Sequence, residues 1–156
     1  MKFLVSEENW DIQGYGEYLK TIAHRFDEQT FEFILHKSFH DGHIKHIKLI
    51  NHFDRSSEEE IKDPTSIRMI IEHSGGSLYE IVWSEVRRFF FDYDITRNVY
   101  SNLNEIVWDG MCGIDEWGYD EILETSNQMI SHEIDLFSKT KIIIICRGIQ
   151  INQLES

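Results

Sequence analysis

Residues 38–49 of this chain read SFHDGHIKHIKL, which sets three histidines, an aspartate and a glycine in an otherwise apolar stretch. Imidazole is a common ligand for zinc, and histidine beside a carboxylate is a common general-base pairing. If Asp41 and Gly42 are the two loop residues of a hairpin, His40 and His43 face each other across its first pair. His36 then falls on the same face, because strand side chains alternate with a period of two. That makes His36, His40 and His43 a candidate zinc set. Two features weigh against it. Lys45 shares that face and repels a cation, and no cysteine or carboxylate there completes a tetrahedral shell. The favoured reading is therefore a turn at Asp41-Gly42 with histidines at the rim of a sheet. No cofactor is expected.

The second candidate is acidic. Asp115-Glu116-Trp117-Gly118-Tyr119-Asp120-Glu121 follows Trp108 and Asp109 in a stretch from Arg97 to Lys139 that holds no lysine or arginine between its ends. Paired carboxylates can do acid-base work or hold Ca²⁺, but the spaced Asp/Asn ladder of a calcium loop is missing. Nothing beside them selects a substrate. Nor is there a phosphate loop, a GxSxG elbow or an HExxH helix. No catalytic residues are assigned. Aromatic anchors among carboxylates do suit one task, which is binding a basic protein: the rings supply contact area and the charges supply steering. Trp108, Asp109, Asp115, Glu116, Trp117, Tyr119, Asp120 and Glu121 form that candidate surface. The competing reading, with the indoles turned into the core, stays open.

The chain as a whole carries 28 acids against 15 bases, a net charge of −13. Such a surface repels phosphates, which disfavours nucleic acid and anionic membranes as partners. At 156 residues, 41% of them hydrophobic and 13% aromatic, the chain is expected to form a single domain over 1–156, with a tail at 152–156 that frays. The apolar run at the N-terminus is too short for a signal-peptide core, and Ile142–Cys146 is too short to span a bilayer. Cys112 and Cys146 fit no metal motif; a disulfide between them stays open, and two buried thiols in a reducing compartment are the favoured reading. A cytoplasmic location is expected.

The elements that must position these residues are legible from periodicity. Ser6 can cap a helix running to about Ala23 or Arg25, with Tyr15, Leu19, Ile22 and Ala23 on one face. Beyond Asp27 the pattern alternates: Phe31, Phe33, Leu35 and Phe39, then Ile47, Leu49 and Phe53. Further strand signals follow at Ile67–Ile71, Leu78–Trp83, Val86–Tyr93, Asp120–Thr125, Met129–Phe137 and Lys141–Ile151, joined by short turns. The expected fold is mainly β, of the α+β class. One N-terminal helix sits against an antiparallel, curved sheet that closes on itself as a sandwich or a barrel-like form.

The segments FHDGHIKHIKL, VWSEVRRFFFDY and GYDEILETSNQMISHEIDLFSKTKIIIICRGI together resemble a pattern found in uncharacterised small proteins, mainly of Gram-positive bacteria. These have a short helix, an early His-Asp-x-x-Ile hairpin and an acidic Tyr-x-Glu-Ile strand near the end. On that pattern His40, Asp41, Glu121 and His132 are the matching polar positions, and no role comes with them. The His-Asp pair does not fit the HD phosphohydrolases, which carry theirs on a helix. Some of the small bacterial proteins resemble immunity partners encoded beside secreted toxins. The resemblance implies a non-enzymatic, acidic binding domain that neutralises a basic toxin, such as a nuclease. The alternative is a small metal-dependent enzyme or ligand-binding protein centred on His36, His40 and His43.

Overall fold

Two helices come before any strand. The structure is a computed structural model describing residues 1–97, 99–102, 105–109 and 113–155, without the side chains of 7, 99–102 and 105–109. Helix α1 (Ile12–Thr21) begins where the Asp11 side chain accepts the Gly14 N–H at 2.8 Å. Asp11, not Ser6, is thus the cap. A 3₁₀ turn at Ala23–Arg25 follows α1.

Helix α2 (Glu28–His36) lies where alternation predicts a strand. The Asp27 carboxylate accepts the Thr30 N–H at 2.8 Å, and Glu28 sits in the first turn, where a negative charge is favoured. Thr30 and Phe33 are buried on one helical face, with Phe26 and Ile34 packed beside them. The sheet is therefore covered by two helices instead of one, and the expected hairpin between Phe39 and His43 does not form. Asp41-Gly42 is nonetheless a turn. Asp41 has φ 61°, the Gly42 N–H donates to Phe39 O at 2.6 Å, and a Cβ on Gly42 would meet that oxygen at 2.6 Å.

The strands are β1 (His43–Asn51), β2 (Thr65–Glu72), β3 (Leu78–Ser84), β4 (Arg88–Asp92), β5 (Val99–Asn102), β6 (Glu105–Asp109), β7 (Trp117–Glu124), β8 (Ile130–Leu136), β9 (Lys141–Cys146) and β10 (Gly148–Gln153). They make two four-stranded sheets, ordered β1-β2-β3-β10 and β4-β9-β8-β7, with β5-β6 as a separate ribbon. All pairings are antiparallel. The two sheets share one bent ribbon, since β3 leads into β4 while its partner β9 leads into β10. This gives the mainly β, α+β curved sheet expected from the sequence, folded over a core that includes Ile67, Ile81, Trp83, Ile134, Ile142 and Ile144. The tail expected to fray at 152–156 is in part a strand, for β10 runs through Gln153 and the Leu154 N–H donates to Leu78 O.

Side chains from the helices satisfy two exposed edges. The Tyr15 and Tyr18 hydroxyls accept the Ile122 and Glu124 N–H groups of edge strand β7, at 2.8 and 2.7 Å. The Thr30 hydroxyl accepts the Ile151 N–H of β10 at 2.9 Å. An unpaired strand edge invites association with another chain, and both helices remove that hazard. Edge strand β1 carries His43, Lys45, His46 and Lys48 exposed, a charged edge that discourages pairing.

Candidate functional site

The histidines separate. His36 ends α2, exposed, with Glu32 one turn before it at 3.7 Å. His40 Nδ1–H donates to Gly118 O at 2.7 Å, and its ring stacks on Tyr119 with centroids 5.3 Å apart. His43 begins β1. Among the described residues no group of three or more His, Cys, Asp or Glu side chains could hold a metal ion. The zinc set drawn from His36, His40 and His43 is thereby corrected: it needs an extended backbone at 36–40, and α2 occupies the start of that segment.

The acidic segment folds inward for the most part. Trp117 is fully buried, and Asp115 and Glu121 are buried as well. Glu121 accepts the backbone N–H groups of Lys2, Phe3 and Leu4, so its charge is spent fastening the chain's first residues to β7. Burial, then the neighbouring charge of Asp115, raises the Glu116 carboxyl above the ordinary range. Trp117, Asp115 and Glu121 therefore do not face a partner, which corrects the expected surface at those positions. The side chains of Trp108 and Asp109 lie outside the described residues.

Asp120 is the half-buried member of a polar chain that crosses the core. The Trp117 Nε1–H donates to Asp120 Oδ1 at 3.0 Å, His132 Nε2 meets Asp120 Oδ2 at 2.8 Å, and the Trp83 Nε1–H donates to His132 Nδ1 at 3.0 Å. An indole N–H can only donate, so Nδ1 is bare. The proton of His132 sits on Nε2 and is given to Asp120. With both nitrogens engaged, this imidazole is a structural link between the sheets and is not placed to take a proton from a substrate. A bulge between Trp117 and Tyr119 makes the arrangement possible. It shifts the alternation of β7, so that Trp117 and Asp120, three residues apart, turn the same way.

Asp120 and His132 form part of the wall of a cavity of about 460 Å³ between α1, α2 and β7. Aromatic and aliphatic side chains make most of the wall, Trp10, Tyr15, Leu19, Phe33 and Tyr119 among them. Burial, then the charge of Asp120, pushes the Tyr15 hydroxyl well above its ordinary range.

A different surface matches the chemistry expected of residues 108–121. The loop from 52 to 64 is closed at its base by the His52 N–H donating to Pro64 O at 2.7 Å and by Asp63 against the Arg87 guanidinium at 3.2 and 3.0 Å. Beyond that base Phe53 is 62% and Ile61 52% exposed, and Leu49 on the strand leading in is 58% exposed. Asp54, Glu58, Glu59 and Glu60 are exposed beside them. Glu58, Glu59 and Glu60 form no ion pair among the described residues; Arg55 and Lys62 dilute the charge without cancelling it. Periodicity has nothing to detect in a loop, so only the acid run flanked by Phe53 and Ile61 could have signalled this surface.

No family model matches the chain, and no curated protein matches it. Among the described residues, no helix is long and apolar enough to cross a membrane.

Proposed function

We propose that the protein is a non-enzymatic binding domain that recognises a basic protein, with the loop from 52 to 64 as its contact surface. The observation that supports this is the coincidence, on one anchored loop, of exposed Phe53 and Ile61 with the carboxylates Glu58, Glu59 and Glu60, which are unpaired among the described residues. Apolar side chains give such a contact its lifetime, and like charges around them give it speed and selectivity for a positive surface. A fixed loop base lowers the ordering cost of association. The net charge of −13 adds long-range attraction for the same class of partner. The resemblance to small bacterial proteins encoded beside toxins points to a cytoplasmic immunity protein whose partner is a basic, nuclease-type toxin.

The test is affinity capture at low salt from the producing cells and their medium, with the wild-type chain and a Glu58→Lys/Glu59→Lys/Glu60→Lys variant as paired baits. A basic protein held by the wild type, released by salt and lost by the variant supports the reading. It should also arrest growth when expressed alone and not when co-expressed with this chain. Equal capture by both baits removes the loop as the interface.

A further inference from the structure

Among the described residues, Asp120 is a carboxylate without a counter-charge. Both of its oxygens accept N–H donors, one from Trp117 and one from His132, and His132 is neutral because Trp83 occupies its other nitrogen. Among the described residues its one candidate ion-pair partner is that neutral imidazole. Lys37, the lysine on the cavity wall, is exposed to solvent and forms no ion pair with it. The Asp120 side chain is 23% exposed and borders the cavity. A charge withdrawn from water is costly until a hydrogen-bonded cation meets it. Two oxygen lone pairs remain after the two N–H bonds, enough to receive such a donor.

The surrounding wall narrows the choice of cation. It is largely apolar and aromatic, which a bare metal ion does not need. Trp10 and Tyr119 meet edge to face with centroids 4.7 Å apart, and both line the cavity that Asp120 borders. Ring faces attract organic cations, and apolar walls bury a hydrocarbon body. We propose that the cavity between α1, α2 and β7 binds an organic ammonium ion with an apolar body, the ammonium on Asp120 and the body against Trp10, Tyr15 and Tyr119. The site is separate from the loop at 52–64, so either assignment can fail without the other.

The test compares 2-phenylethylamine with its neutral counterpart, 2-phenylethanol, each titrated into the wild-type chain and followed through the amide resonances of Gly118, Tyr119 and Asp120. The amine is expected to saturate at millimolar concentration or below and to bind at least about tenfold more tightly than the alcohol, the difference that one charged hydrogen bond supplies. Asp120→Asn should bring the two affinities together. Gly16 provides a second variant that leaves the carboxylate intact. It borders the cavity, and a Cβ there meets nothing within 4 Å, so Gly16→Phe is expected to fill the space and abolish binding of the amine. If Asp120→Asn loses its cooperative melt, the amine–alcohol comparison and Gly16→Phe decide. Equal affinity of the wild type for amine and alcohol, no saturable shift with the amine, or undiminished binding by a folded Gly16→Phe would overturn the assignment.

Discussion

At the scale of single residues, His132 carries the most structural consequence. It joins Trp83 of one sheet to Asp120 of the other, and it is 2% exposed. His132→Phe keeps most of the volume but strands the Trp83 N–H and leaves the Asp120 carboxylate with one donor fewer. The expected loss is about 2–4 kcal/mol in denaturant unfolding; a variant as stable as the wild type would show that the chain contributes nothing. Cys146 gives a second residue-level prediction. Burial pushes its thiol up to about 12, so it stays protonated at neutral pH. In a Cys112→Ser background, a thiol reagent at neutral pH should label the chain only at the rate of unfolding, and rapid labelling of the folded chain would refute this. Little of the polar chain was legible in advance. Asp120 and His132 stand out as polar residues in strands, but their meeting depends on the bulge after Trp117 and on register, which periodicity does not report.

At the scale of elements, α2 shows where a sequence pattern misleads. Phe31, Phe33 and Leu35 alternate as a strand would, but Phe26, Thr30, Phe33 and Ile34 also satisfy helical spacing, and the cap at Asp27 decides between them. The strands from Ile67 onward were easier to read, because alternation there coincides with one buried and one open face. Asp27→Ala should cost about 1 kcal/mol at neutral pH. The Thr30 N–H, its main partner, holds the Asp27 carboxyl below the ordinary range in the folded state. Its contribution is therefore complete above the ordinary aspartate value and disappears as pH falls through the depressed folded one. The stability gap between wild type and Asp27→Ala should narrow in acid, and a gap constant down to the acid transition would contradict the cap. Thr30→Val removes the acceptor for the buried Ile151 N–H. The cost should be about 1–3 kcal/mol, with faster amide exchange at Ile151; unchanged exchange would mean that another group covers this edge.

At the scale of the whole molecule, the bent ribbon of β3-β4 with β9-β10 turns the strands into two packed sheets, and the helices close what the sheets leave open. Charge is then what distinguishes the surface. The acids of residues 115–121 are largely spent inside the fold, whereas Glu58, Glu59 and Glu60 of the loop at 52–64 remain available. Composition revealed the excess of acid but not where it is free to act, since that depends on which carboxylates the fold consumes. Reversing Glu58, Glu59 and Glu60 should leave stability within about 0.5 kcal/mol, as expected of exposed loop positions. The most direct measurement is the association rate constant for the captured basic partner, followed from about 50 to 500 mM salt for the wild type and the triple reversal. The account predicts that the wild-type rate falls steeply with salt, while the variant is slow at low salt and nearly salt-independent. Superimposable rates for the two chains across that range would contradict it.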